Sequence, residues 1–178
     1  MGKADLRAEK IDVTLDNSID ITTSAYAAKA MALFKEGYNC SQAVCLAFAD
    51  QYSEKYSIEE SVILKLSSSF GGGMGRLREV CGAVTGMFMV AGILYGYDEP
   101  DADGRKAEHY ARIQKLAQDF EDQSGSIICR DLLGLTQKRD EPTPEKRTEN
   151  YYRKRPCVEK VGLAAAIMEQ YIKQNDSL

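Results

Sequence analysis

Cysteine is the residue type in this chain with chemistry to spare: there are five, against one histidine, His109, and no tryptophan. Four of them, Cys40, Cys81, Cys129 and Cys157, each fall within a residue or two of a predicted helix start. Unpaired backbone N–H groups and the positive end of the helix dipole stabilise an anion there, which lowers a thiol's pKa. The thiolate is both the nucleophile of disulfide exchange and the ligand for soft metals. Four thiolates brought together would repel one another, and a Zn²⁺ ion or an iron–sulfur core would offset that charge. These four cysteines are therefore the candidate cofactor-binding and metal ligands, expected to converge on one site. No Cys-x-x-Cys pair of the zinc-ribbon or ferredoxin kind is present, so the tertiary fold must assemble such a site. The plainer alternative is that each is a buried thiol acting as a small hydrophobe. Cys45 stands apart. It follows Cys40 by about 140° of helix rotation and is expected in the core, outside the cluster.

The stretch that carries Cys81 is Ser69-Phe-Gly-Gly-Gly-Met-Gly-Arg-Leu-Arg-Glu-Val-Cys81-Gly-Ala-Val-Thr-Gly86. Its glycines let the chain fold tightly and approach another group closely. After Glu79 no charge occurs until Asp98, so the helix that follows the loop must be buried. Neither phosphate fingerprint is met, because there is no Gly-Lys-Ser/Thr ending and Arg76 stands where a glycine is needed. Holding an anion with Arg76 and Arg78 is the weaker reading of this loop. Gly82 and Gly86 lie one turn apart and make a small face for close helix packing. His109 has no clustered acidic partner and reads as structural or exposed.

Helical periodicity sets out the elements that must position these groups. The first helix is predicted from Ser24, with Ala27, Ala30, Met31 and Phe34 inward and Gly37 as its stop. Tyr38-Asn39-Cys40-Ser41 supplies caps for a second helix to about Tyr52. Ser57-Ile-Glu-Glu60 reads as a capping box opening a third, with Val62, Ile63 and Leu66 inward. The fourth runs from about Cys81 to Tyr95. A fifth spans Arg105 to about Phe120, with Ala107, Tyr110, Ala111, Ile113, Leu116, Ala117 and Phe120 on its apolar stripe. A short helix carries Cys129. Thr136 to Arg155 is a charged connection containing Pro142 and Pro144, expected as a solvated surface excursion. Pro156 opens the last helix, with Val158, Val161, Ala165, Met168 and Ile172 inward. No alternating strand pattern appears. The expected fold is all-α: a single-domain bundle of about six or seven helices over 21–178, with a glycine-rich loop before a central buried helix, preceded by a loose arm at 1–20.

The 178 residues fit one domain able to bury a core. A formal net charge of −4 argues against nucleic-acid binding, which needs a basic face. The mixed-charge N-terminus has no apolar signal region, so the expected compartment is the cytosol, where cysteines serve metals or catalysis more than disulfides. The uncharged run from Val80 to Tyr97 is diluted by Gly82, Gly86, Gly92 and Gly96, and is expected as a core helix, not a membrane span.

The order Gly-Tyr-Asn-Cys40-Ser-Gln-Ala, then Gly-Gly-Gly-Met-Gly…Cys81-Gly-Ala-Val-Thr-Gly86, then Cys129, then Cys157 resembles the redox-active family named after its string C–GCAxxG–C–C. The resemblance runs from about Gly37 into the last helix and places the family's cysteines on Cys40, Cys81, Cys129 and Cys157. The name spells Gly-Cys-Ala where this chain has Cys81-Gly82-Ala83. What the resemblance implies is a redox or metal role, with an iron–sulfur centre among the options, and no particular substrate. Three functions stay open from the sequence. The first is electron transfer or redox sensing by a metal or iron–sulfur centre on the four cysteines. The second is dithiol–disulfide exchange, and the third a structural zinc or interaction module. The expected partner is a redox partner protein of unknown identity, with self-association left open.

Overall fold

Ser24 starts the first helix as a cap: its hydroxyl accepts the Ala27 N–H at 2.9 Å and donates to the buried carboxylate of Glu169. In this computed structural model, which describes residues 19–100 and 103–175, the cap opens α1 (Ala25–Glu36), which Gly37 ends at a φ of 123°. Residues 1–18 of the expected N-terminal arm lie outside the described residues. Asn39 and Gln42 form a reciprocal capping box that opens α2 (Cys40–Ala47). The second helix, expected to run unbroken to Tyr52, is interrupted at Phe48, and α3 (Ala49–Tyr56) follows. There the Phe48 N–H turns to the carbonyl of Cys45 at 3.1 Å, and the Tyr52 hydroxyl donates to that same carbonyl at 2.9 Å. The Phe48 ring stacks on Tyr26 with centroids 4.2 Å apart, so aromatic packing fixes the break.

The expected capping box at Ser57 is not formed. Ser57 adopts a left-handed conformation that terminates α3, and α4 (Glu60–Ser68) begins from Glu59 without a side-chain cap. Only Ile63 of its three expected inward residues is buried; Val62 and Leu66 are 47% and 56% exposed. Ile63 and Ser67, one turn apart, form the buried face, which leaves the neighbouring Val62–Leu66 face outside.

A tight glycine turn, α5 (Gly71–Met74), leads to α6 (Gly82–Tyr95). The next helix, α7 (Asp103–Ser124), is longer than the expected 105–120, and its stripe is narrower. Leu116 and Phe120 are buried, whereas Ala107, Tyr110 and Ala111 are exposed. Arg112 covers that end of the core instead: its guanidinium lies 5.0 Å from the Tyr95 ring centre and donates to the Tyr95 carbonyl and the Tyr171 hydroxyl. Two short helices, α8 (Cys129–Leu132) and α9 (Glu149–Lys154), precede α10 (Cys157–Asn175). Thr148 caps α9, within the segment expected to be a plain connection.

The fold is all-α. Among the described residues no strand occurs, and one isolated antiparallel bridge pairs Val80 with Ile128. Every residue of α10 from Val161 to Glu169 is buried, so α10 shares the central place expected for α6 alone. No described helix is long and apolar enough to cross a membrane. The small face of α6 lets α2 approach: a Cβ on Gly86 would lie 2.9 Å from the Ser41 carbonyl oxygen and 3.0 Å from Val44 Cβ.

Gly86→Ala should therefore lower stability by about 1–3 kcal/mol through overpacking between backbones. Gly92, in the same helix, has nothing within 4 Å of an added Cβ. Gly92→Ala should raise stability by up to about 1 kcal/mol through helix propensity. Urea midpoints at unchanged m-value read both effects, and shifts of the same sign would refute this packing assignment.

Candidate thiol redox site

Each of the four singled-out cysteines begins a helix. Cys40 is the first residue of α2, Cys129 of α8 and Cys157 of α10, and Cys81 occupies the N-cap of α6. All four line one pocket of about 280 Å³. Cys81 and Cys129 are buried, Cys40 and Cys157 partly exposed, and no disulfide joins them. Cys45 does not line the pocket; it is buried, with its thiol 3.5 Å from the Gly86 carbonyl.

Two glycines make the convergence possible. A Cβ on Gly73 would lie 2.6 Å from Cys129 Cβ, and one on Gly82 would lie 3.0 Å from Cys40 Cβ and 2.9 Å from the Phe70 carbonyl oxygen. With Gly82 pressed against the start of α2, the cysteine must precede it, and Cys81 reaches the pocket from the cap. The loop leading from one to the other is left-handed from Gly72 through Arg76 and again at Arg78. Each non-glycine residue held there costs on the order of 1 kcal/mol, a strain that accumulates at functional sites. Backbone bonds offset it. The Cys81 N–H donates to Ile127 O at 2.8 Å, the Cys129 N–H to Glu79 O at 2.7 Å and the Arg130 N–H to Arg78 O at 3.2 Å. This pairing sets Cys81 and Cys129 side by side.

The loop arginines, given only a weak anion reading from the sequence, hold a carboxylate within the chain. Arg78 is 2% exposed, bonds Asp140 through Nε at 3.1 Å and through its terminal nitrogen, and points Nη1 at Cys129 Sγ, 3.6 Å away. Arg76 reaches the same carboxylate at 3.2 Å. Arg78, followed by Arg76 and Arg155, holds the Asp140 carboxyl below its ordinary range. The charged segment 136–155, expected as a solvated excursion, is thus tied down. It also brings Glu145, Arg147 and Arg155 to the pocket wall. Their missing signal was that charge along a mostly exposed segment does not tell which ions face inward.

Helix starts were expected to lower the thiol pKa values, and that holds for one of the four. Cys157 is lowered to about 7, first by the hydrogen bond its sulfur accepts from the Cys40 thiol, then by Arg155, Arg78 and Arg147, acting against burial. Cys40, the donor, is raised well above the ordinary thiol value by that bond and by burial. Burial pushes Cys81 up to about 12 although the N–H groups of Ala83 and Val84 favour its thiolate. Cys129 is also raised by burial, which outweighs Arg78. Cys45, buried among apolar groups, rises to about 12. His109 behaves as a structural residue: its Nδ1 lies 3.3 Å from Arg112, and burial lowers its pKa.

The donor chemistry of four thiols suits zinc or an iron–sulfur core. Their spacing here does not by itself form a ligand set: among the described residues no group of three or more His, Cys, Asp or Glu side chains is arranged to hold a metal ion. A family model described as "Putative redox-active protein (C_GCAxxG_C_C)" matches residues 38–171. No curated protein and no solved structure matches the chain.

Thiolate absorbance of the reduced protein should show one step near pH 7, absent in Cys157→Ser, with the other thiols titrating above the ordinary range. In Cys40→Ala the lost donor should move that step upward. Because the folded pKa of Cys157 lies below its unfolded value of about 8.5, its stabilising contribution is present above that value and is lost as pH falls through about 7. Cys45 and Cys81 act oppositely, their contribution declining as pH rises toward about 12. Persistence of the neutral step in Cys157→Ser would assign it to another group.

Proposed function

The chain belongs to the C_GCAxxG_C_C family, described as redox-active, and from that premise we propose that it is a dithiol–disulfide redox protein working through Cys157 and Cys40. The observation that supports this is the placement of two partly exposed cysteines, Cys40 at the start of α2 and Cys157 at the start of α10, on the wall of one pocket, where the Cys40 thiol and nearby arginines lower Cys157. Disulfide exchange needs a thiolate at the attacking sulfur, a second thiol within reach and access for a substrate. Cys157 has the first, Cys40 is the second, and the pocket gives the access.

In the reducing direction Cys157 sulfur attacks one sulfur of a substrate disulfide. The substrate S–S bond breaks, and the leaving sulfur takes the electron pair and then a proton. Cys40 gives up its proton to solvent and attacks the Cys157 sulfur, forming the Cys40–Cys157 bond and releasing the second substrate thiol. Two electrons pass from the protein dithiol to the substrate, and the reverse sequence oxidises a substrate dithiol.

A second reading, a zinc or iron–sulfur centre on Cys40, Cys81, Cys129 and Cys157, is favoured by one further observation: four thiols border the pocket where exchange requires two. Such a centre would need the sulfurs drawn in to bonds of about 2.3 Å. An iron–sulfur core there would supply electron transfer or redox sensing, and zinc a closed structural site. The arginines near Cys157 and Cys129 would compensate excess thiolate charge around either.

Treating the reduced protein with excess bis(hydroxyethyl) disulfide should yield a Cys40–Cys157 bond, identified by peptide mass mapping. Cys40→Ser should stop at a mixed disulfide on Cys157, and Cys45→Ser should behave as the parent. A different bond, or none, would reject the assignment. For the second reading, anaerobic reconstitution with iron and sulfide or with zinc should load the parent and load Cys81→Ser far less, since a serine hydroxyl is a poor soft-metal ligand. Loading should also raise the parent's melting temperature, a gain abolished by chelation. Equal metal content in parent and variant would remove Cys81 from any shared centre.

A further inference from the structure

The pocket around the thiols is strongly one-signed. Arg76, Arg78, Arg147, Arg155 and Lys160 line it, and the carboxylates among them are Glu145 on the lining and Asp140 behind it. Five cations thus stand against two carboxylates, an excess of three in a chain whose formal net charge is −4. Three of the five are partnered by those acids: Arg76 and Arg78 share Asp140, and Arg155 pairs with Glu145. The other two are held in place by neutral acceptors. Arg147 donates to the Phe34 carbonyl while its guanidinium lies 4.4 Å from the Phe34 ring centre, and Lys160 donates to the Ser124 hydroxyl at 3.2 Å. Their charge is positioned without being cancelled. Leu132, Leu133, Pro142 and Pro144 supply apolar wall between these cations.

We propose that the substrate of this pocket is a small disulfide, or the corresponding thiol, that carries carboxylate or similar anionic groups. This rests on the dithiol–disulfide reading of Cys40 and Cys157 and adds the substrate class. A pocket of about 280 Å³ admits the body of a small molecule, and the sulfurs sit on its wall. Arg147 lines the same pocket as Cys40 and Cys157, so a carboxylate paired with Arg147 is held in the cavity that also exposes both sulfurs. The exchange is the two-step sequence given above: one anionic thiol leaves when Cys157 attacks, and the second leaves when Cys40 closes the protein disulfide.

Three aliphatic disulfides of similar size separate charge from reactivity: dianionic dithiodipropionate, neutral bis(hydroxyethyl) disulfide and dicationic cystamine. Each rate of Cys40–Cys157 formation is divided by the rate of the same probe with mercaptoethanol thiolate. A cleft of one sign raises encounter rates by about 10- to 1,000-fold. The dianion should accordingly exceed the dication by at least about tenfold at low ionic strength, with the neutral probe between, and screening at about 0.5 M salt should shrink the ratio several-fold. Arg147→Gln and Lys160→Gln should each lower the same ratio. The ratio is insensitive to how much Cys157 is ionised, because that fraction multiplies both rates. If all three probes form the disulfide at equal normalised rates, the anionic-substrate inference is wrong and the dithiol reading stands. A preference for cystamine would also overturn it. If none of the three forms the bond, the dithiol reading and this inference fall together. The salt series on the unsubstituted protein decides the matter even if a variant does not fold.

Discussion

The site depends on the absence of a β-carbon at two positions. Gly73 lies against Cys129 and Gly82 against Cys40, with separations that no side chain could share. One loop therefore clamps two cysteines from distant parts of the chain and presents its own, Cys81, to the same pocket. The same loop places Arg78 behind Cys129, buried and fixed by Asp140. A glycine run of this kind is unfavourable for an unfolded chain to order. Its positive-φ neighbours Met74, Arg76 and Arg78 add strain. The return is a set of reactive groups brought closer than ordinary side-chain packing allows.

Electrostatics around the four thiols is a contest that burial wins at Cys81 and Cys129. Cys81 and Cys129 are enclosed, and in an apolar setting the charged form of a thiol is disfavoured more than nearby N–H groups or one guanidinium can repay. Cys157 differs because it accepts the Cys40 thiol proton in a hydrogen bond and is flanked by three arginines. The shift of Cys40 in the other direction is the same interaction seen from its donor. Two thiols on one pocket wall thus divide into an attacking and a resolving sulfur without any difference in residue type.

What the sequence made legible was local. Caps and stops place a cysteine at the start of each of four helices, and about 140° of helix rotation separates Cys45 from Cys40, so both features follow from helix geometry. The uncharged run after Glu79 likewise marked α6 as buried. The illegible features were decided by tertiary partners. Phe48 breaks its helix because Tyr26 offers it a stacking surface and Tyr52 takes the Cys45 carbonyl. Ser57 ends a helix where a capping pattern announced a beginning. Val62, Leu66 and Tyr110 have the right period but lie off the contact face. Asp140, Arg147 and Arg155 looked like solvated charge because nothing within segment 136–155 records that Arg78 and Phe34 wait for them.

Cys40 and Cys157 line one pocket but lie more than a hundred residues apart along the chain. In the oxidised form proposed here, their bond would close the chain from the start of α2 to the start of α10 into one covalent ring. A cross-link closing a loop of roughly that size removes about 4.7 kcal/mol of chain entropy from the unfolded state. That is comparable with the entire stability of an ordinary domain, about 5–15 kcal/mol. Electron transfer at this pair would therefore be coupled to mechanical and proteolytic endurance: the oxidised protein is a locked ring, the reduced one an openable chain, and each turnover passes between the two.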